Sequence, residues 1–358
     1  MSAPPRWIEG DRVWAITRYR DAVALLKSDD VAIVEVADNL QKISDRLGRN
    51  AFPNLIVLLG TSHPFQNGAA HRDAHSSIRS VIGSVQRRWP AERIGALVDD
   101  FLAPAIAGEC FDAVTLLSGP LPATIMADML ETDVETLQRS TAASRRISSI
   151  WHREGVALRD LYALESVAAD LVALFDTAFS GDRKAEYAQI AFLSLAGVST
   201  TKGLLESALF ILANDLALQQ TLQRAPSMIP AFLNEVLRTR PPLRRIIGRK
   251  TTREVELGGI VLSKSALLTI DLERAQRDTD AFPDPDRFDI RRTGPPTLAF
   301  GVGAHACLGA ALARVTARVA IERILGNAII HCAGDAQPAA DPDWNEYKSL
   351  PLKLGALR

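Results

Sequence analysis

Apolar positions recur at helical spacing along most of this chain. Leu308, Leu312, Val315 and Val319 stand three and four residues apart, so a helix begins directly behind a glycine-punctuated loop. Tyr187 to Asn214 is dominated by apolar residues and predicts one long helix, interrupted by Ser194, by Gly197-Val198-Ser199-Thr200-Thr201 and by Lys202. Amphipathic helical patterns run from Arg93 to Phe101, from Leu121 to Leu130 and from Leu158 to Phe179, with breaks at Pro104, Gly119-Pro120 and Gly155. Near the start, Val13 to Ile16 predicts a short strand, followed by a helix ending near Ser28-Asp29-Asp30. Val255 to Leu262 predicts a hairpin turning at Gly258-Gly259. Residues 31 to 67 are poorly periodic and contain Pro53, Gly60 and Pro64, which predicts loop. The whole is helix-rich with small β-sheets.

No repeat, low-complexity tract or linker divides the sequence, so one large domain over residues 1–358 is expected. With 358 residues and 47% hydrophobic content, the chain can bury a large core. A formal net charge of −1 implies no nucleic-acid partner. Three cysteines do not make a disulfide framework and fit a reducing compartment. The first residues lack the apolar core of a signal peptide, and no uncharged run reaches the roughly 18 to 20 residues of a membrane helix. A cytoplasmic protein without a membrane anchor is expected.

The residues that carry chemistry lie in a few places. In Phe300-Gly301-Val302-Gly303-Ala304-His305-Ala306-Cys307-Leu308-Gly309, glycines deliver one cysteine to the start of a helix. Unpaired amides and the helix dipole favour a thiolate there, and Gly301, Gly303 and Gly309 let backbone approach a bulky flat group. Such a thiolate suits a soft or borderline metal, heme iron above all. Zinc is poorly served, because Cys110 and Cys332 offer no CxxC spacing and His305 with Cys307 makes only two ligands. His71, His75 and Arg79 sit four apart on one helical stripe, which is either solvated or faces an anion. The hydroxyls of Ser199, Thr200 and Thr201 need partners inside an apolar helix, or bond back to carbonyls one turn earlier. Glu235 and Arg238 share a helical face at i, i+3.

The cysteine loop resembles the heme-binding signature of the cytochrome P450 family, in which Phe, Gly, Gly, His, Cys and Gly stand at this spacing. The order of further segments strengthens the likeness. Ala196-Gly197-x-x-Thr200-Thr201 is similar to the oxygen-activating motif of the family's central helix, although Ser199 stands where relatives carry Asp or Glu. Glu235-x-x-Arg238 followed by Pro241-Pro242 resembles the family's Glu-x-x-Arg pair, which in relatives joins the arginine of a Pro-x-Arg-Phe segment, here Pro285-Asp286-Arg287-Phe288. Arg277 to Asp289 resembles the family's meander, with Gln276 in place of the usual Asn.

The resemblance implies a mainly α fold with peripheral β-sheets, heme b as cofactor and Cys307 as axial ligand. Phe300, Gly301 and the loop amides would shield the sulfur. It implies that His305, Arg249 and the helix stripe pair with heme propionates. Two registers compete on that stripe. In one, Asn67-Gly-Ala-Ala-His71 supplies the histidine and His75 stands where arginine is expected; in the preferred one, His75-Ser-Ser-Ile-Arg79 is the pair. Thr200 would assist proton delivery, with Gly197 opening room beside it. The implied reaction is monooxygenation of a small apolar organic molecule by dioxygen, in secondary metabolism. Electrons would come from NAD(P)H through a separate ferredoxin and ferredoxin reductase, and the protein would act as a monomer. Arg314 and Arg318, basic residues near the cysteine-bearing face, either meet an acidic ferredoxin or form a solvated helix face. Two alternatives stay open. One is a heme-thiolate enzyme of non-hydroxylating chemistry (oxidative coupling, ring formation or peroxide-driven oxidation), and the other a non-catalytic heme-binding sensor.

Overall fold

The computed structural model describes residues 4–105, 109–150, 156–179 and 183–357. The chain begins with β1 (Arg6–Ile8), β2 (Val13–Ile16), α1 (Tyr19–Leu26), β3 (Val31–Ile33), α2 (Val36–Arg46) and α3 (Pro53–Gly60). A 3-10 turn, His63–Phe65, leads into α4 (Gly68–Arg88) and α5 (Ala91–Leu102). Then follow β4 (Cys110–Asp112), a π-helical turn (Val114–Ser118), α6 (Pro120–Leu130), α7 (Val134–Ser148), α8 (Leu158–Ala178), α9 (Tyr187–Ala213), α10 (Leu216–Arg224) and α11 (Ile229–Thr239). The C-terminal part holds β5 (Arg245–Thr251), β6 (Val255–Leu257), β7 (Ile260–Leu262), β8 (Leu267–Asp271), α12 (Leu272–Ala275), α13 (Ala310–Asn327), β9 (Ile329–Cys332), β10 (Gln337–Pro338), β11 (Tyr347–Ser349) and β12 (Pro351–Gly355).

The long apolar stretch is one continuous helix, α9, packed against α3, α6, α7, α11 and α13. By length and composition it is the one helix among the described residues that could cross a membrane, and 67% of its apolar window is buried inside the protein. An all-round apolar helix is what a core position demands. The strands form small sheets at the periphery. Five pair in the order β1-β2-β8-β5-β3, with β2 and β8 parallel, and three in the order β4-β12-β9. The predicted hairpin is β6–β7, registered Val255 to Leu262, and Gly258 and Gly259 both take positive φ at its turn.

Residues 31–67 depart from the loop expectation, since β3, α2, α3 and the 3-10 turn lie there. In α2, Val36, Leu40 and Ser44 are buried at four-residue spacing, too short a run to stand out among charged neighbours. Pro53 opens α3 at its first turn, where the missing amide costs nothing, so the proline marks a start. Pro120 does the same for α6, just after the π turn. The expected break at Gly155 lies outside the described residues.

Candidate active site

Two chain reversals shape the loop before α13. Gly301 and Gly303 take φ of +62° and +81°, and a Cβ on Gly303 would stand 2.3 Å from the Leu26 carbonyl oxygen. The Cys307 amide donates to the Phe300 carbonyl at 2.8 Å and the Gly301 amide to the Leu298 carbonyl at 2.8 Å. These bonds fold the loop so that Cys307 lines a cavity of about 810 Å³. The sulfur has exposed surface, and that surface belongs to the cavity wall. Enclosure raises the thiol pKa above its ordinary value, while the Gly309 and Ala310 amides bond to the sulfur and pull it down. The expectation of a thiolate favoured by amides alone is therefore corrected: the amides are there, and desolvation outweighs them. A metal ion would reverse the balance, because a coordinating thiol loses its proton outright. The Arg314 guanidinium lies 4.7 Å from the centre of the Phe300 ring, and Arg314 also bonds to Asn234. Arg318 pairs with Glu322 at 2.7 Å, a partly exposed i,i+4 pair.

Glu235 and Arg238 are buried, at 4% and 3% exposure, and closely paired, with Nε to Oε2 at 2.7 Å and Nη2 to Oε1 at 2.8 Å. Arg238 also donates to the carbonyls of Gln276, Pro285 and Arg287. The Asp289 amide and the Arg292 Nε both donate to Glu235 Oε1. The third arginine of this network is thus Arg292. Arg287, the expected one, contributes its backbone carbonyl while its side chain stays exposed. Burial pushes the Glu235 pKa up most strongly, yet Arg238, the Asp289 amide and Arg292 together hold it below the ordinary carboxylate value. Gln276, fully buried, donates to the Leu237 carbonyl and accepts from Thr297 and from the Leu298 amide at 2.8 Å. It ties α11 to the approach of the cysteine loop.

Four imidazoles gather beside that loop. The His71 ring centre is 3.9 Å from that of His305 and 4.6 Å from that of His63, and His75 lies 5.7 Å from both His63 and His71. His63 comes from the 3-10 turn and was not singled out in the sequence. His63 and His71 each bury an Nε2 with no hydrogen-bond partner. Desolvation, then neighbouring charge, drives the His63 pKa down to about 4 and that of His305 to about 3. Arg249 lines the cavity, donates only to its neighbour's carbonyl at Ile247, and is pulled down to about 10 by burial. No carboxylate pairs with it among the described residues. By contrast Arg245 pairs with Asp343 and Asp11, Lys250 with Glu35, and Arg244 lies 3.7 Å from Glu273, so these basic residues are not simply solvated. Arg79 is exposed and does not line the cavity.

On α9, Gly197 and Thr200 line the cavity and Ser199 is buried. A Cβ on Gly197 would lie 2.4 Å from Met126 Sδ, so this glycine admits the end of the Met126 side chain beside the cavity. The Thr200 hydroxyl donates to the Ala196 carbonyl at 2.6 Å, the back-bonding that a hydroxyl inside a helix permits. Two residues further, Lys202 reaches Glu206 Oε1 at 2.9 Å and Glu346 Oε2 at 3.3 Å. Arg145 of α7 meets the same Glu346 oxygen at 2.7 Å and Asp341 at 3.3 Å. Lys202 and Glu206 at i, i+4 inside an apolar helix were the signal for this network.

Comparison with known proteins places the chain. The cytochrome P450 family model matches residues 226–350. The chain belongs to the cytochrome P450 family: it is a heme b monooxygenase with that family's helix-rich fold. Cytochrome P450 107B1 of Saccharopolyspora erythraea is 27% identical over 394 residues, covering 98% of this chain and 91% of that protein. Erythromycin C-12 hydroxylase of the same organism is 27% identical over 355 residues, covering 90% and 83%. Among solved structures, epothilone B-bound cytochrome P450epoK superposes with a TM-score of 0.80 at 21% identity, over 99% of this chain and 94% of that one. The side chains present fit the family's cofactor. Heme brings two carboxylates on one edge; the cavity wall offers a buried arginine with no carboxylate partner among the described residues, the unpartnered His63 Nε2 and a sulfur at a helix start, and His71 stands directly behind His305.

Proposed function

We propose that this chain oxidises a small apolar organic substrate with dioxygen in bacterial secondary metabolism, using electrons from a separate ferredoxin and ferredoxin reductase. The observation that carries it is Cys307 at the start of α13, opening onto one cavity with Gly197 and Thr200 of α9. The setting in secondary metabolism is supported by the relative erythromycin C-12 hydroxylase and by the epothilone-bound neighbour. The chain acts as one heme domain over residues 1–358, as a cytoplasmic monomer.

Bound heme supplies the redox chemistry of dioxygen reduction and oxygen-atom transfer. Cys307 would ligate its iron, with the Gly309 and Ala310 amides bonding to the sulfur to moderate its basicity and Phe300 with Gly301 shielding it. Arg249, His305, His71 and His75 hold the two propionates. Burial of His71 against His305 favours the register that begins at Asn67, in which His75 takes the arginine's place and Arg79 stays outside. Thr200 would hold a water in the cavity: its hydroxyl donates to the Ala196 carbonyl and keeps acceptor capacity for a water that could carry a proton. Ser199 cannot relay a proton as a carboxylate can, so ordered water or the substrate must do so.

That departure also keeps the coupling or ring-forming reading alive. The test is turnover of an apolar surrogate, cyclododecane, with a surrogate ferredoxin and reductase under 18O-labelled dioxygen. One labelled oxygen in the product supports monooxygenation. Consumption of reductant to give an oxidised product with no added oxygen would establish the other chemistry.

A further inference from the structure

The cavity wall contains one charged cluster that the chemistry above does not use. Glu346 precedes β11 and is 6% exposed, and it lines the cavity together with Arg145, Asp341 and Trp344. Its Oε2 is taken by Arg145 and Lys202, while its Oε1 is buried with no hydrogen-bond partner among the described residues. Arg145 mirrors this: Nη1 and Nε are engaged by Glu346 and Asp341, and Nη2 is buried and unpartnered among the same residues. The guanidinium also lies 4.5 Å from the Trp344 ring centre, which fixes its plane. On α9, a Cβ on Gly203 would stand 2.9 Å from the Asn345 carbonyl oxygen, so that glycine lets the segment before β11 press against the helix.

A buried acceptor and a buried donor left open beside one ion pair are costly unless something fills them. We propose that Arg145 and Glu346 form a polar clamp for substrate, which grips a neutral group offering both an acceptor and a donor, an amide or a hydroxyl, on an otherwise apolar body. The acceptor of that group takes the Arg145 Nη2 hydrogen and its N–H or O–H donates to Glu346 Oε1. An anionic substrate group is disfavoured, because Arg145 and Lys202 already face the carboxylates of Asp341, Glu206 and Glu346. A ring or chain with one such group is held by one end, and its apolar remainder lies along Met126, Met129, Phe192 and Leu193. The inference rests on the proposed monooxygenase reading and names its substrate class.

The test uses three rings of similar size on the heme-loaded protein, measured by calorimetry, which needs no spectral signal from the cofactor. Cyclododecane offers no polar group, cyclododecanone an acceptor only, and azacyclotridecan-2-one (a cyclic secondary amide) an acceptor and a donor. The lactam is expected to bind tighter than the ketone by roughly tenfold, as one buried hydrogen bond to a charged group would give, and the ketone tighter than the hydrocarbon. Glu346→Gln should cut the lactam's advantage over the ketone to about threefold or less, and Arg145→Lys should weaken ketone and lactam together while sparing the hydrocarbon. Equal affinities for the three rings in the wild type, or variants that weaken all three alike, would overturn the clamp. If a variant fails to load heme, the wild-type series still decides. Failure of the heme-thiolate reading shows separately, as loss of the thiolate-type carbon monoxide spectrum.

Discussion

The buried ion pair of α11 and the buried ion pair of the cavity wall are built from the same chemistry and end differently. Around Glu235 and Arg238 the bonds close: both carboxylate oxygens and the guanidinium nitrogens meet α11, the segment 276–289 and Arg292. Around Glu346 and Arg145 one acceptor and one donor remain open, as do the imidazole nitrogens of His63 and His71. A closed set fixes the backbone that carries the cysteine loop. An open set is a half-made interaction, completed by whatever occupies the cavity. The same distinction separates the frame of the enzyme from the surfaces where it handles heme and substrate.

Breaking the closed set should have the largest effect. Glu235→Ala leaves Arg238 and Arg292 without their shared carboxylate, at a cost of about 3 to 5 kcal/mol. Heme-loaded protein should then fail to accumulate, read as heme per protein in purified material; normal loading would reduce the pair to a surface bridge. The network also predicts an order between its arginines. Arg292→Ala should cost about 1 to 3 kcal/mol by leaving Glu235 under-bonded, whereas Arg287→Ala keeps the bonding carbonyl and should fall within about 0.5 kcal/mol of wild type in urea melts. Equal costs would place the third arginine at 287 after all.

The open set at the histidines should show in pH. In the heme-free protein the folded-state pKa of His63 is depressed to about 4, so the native state takes up fewer protons than the unfolded chain. Stability from this imidazole is present above its unfolded pKa of about 6.5 and is lost as pH falls from there toward 4. The expected loss between pH 7 and pH 5 is on the order of 1 kcal/mol, read as a falling melting temperature and lessened in His63→Leu. Heme should flatten the dependence, since its carboxylates favour the protonated imidazoles. Equal slopes with and without heme would remove anions from the neighbourhood of His63.

The smallest effect is expected at Ser199. With no carboxylate beside Thr200, electron use on cyclododecane should be poorly coupled. Ser199→Asp should raise product per NAD(P)H by about two- to fivefold, a small part of what a positioned proton donor contributes, and Thr200→Ala should lower it. Tight coupling in the wild type, unmoved by either change, would mean that Ser199 carries no mechanistic message.

Much of the frame was legible because its parts are local. Glu235 with Arg238, the segment 277–289 and the cysteine loop each announce themselves within a dozen residues or so. Even there, the family resemblance pointed to Arg287, while the chain turns so that Arg292 reaches Glu235 instead. The cavity wall was legible only in part: Cys307, Gly197, Thr200 and Arg249 came with the family resemblance, whereas His63, Met126, Arg145 and Glu346 converge from segments far apart in sequence, and none of these four belongs to a pattern that names its neighbours. Lys202 and Glu206, a charged pair inside an apolar helix, are the one local sign of the network around Glu346 among the described residues. The helices of residues 31–67 were missed for two reasons: α2 buries a narrow face among polar positions, and α3 is short and apolar nearly all round, so neither shows a clear helical period.

The most direct test of the account is the carbon monoxide spectrum of the reduced protein. Cys307 ligation predicts the red-shifted Soret band of a thiolate-bound heme, and its loss in Cys307→Ser while heme remains bound through Arg249 and the histidines. A thiolate-type band that survives in Cys307→Ser, or its absence from the wild type, would contradict the account.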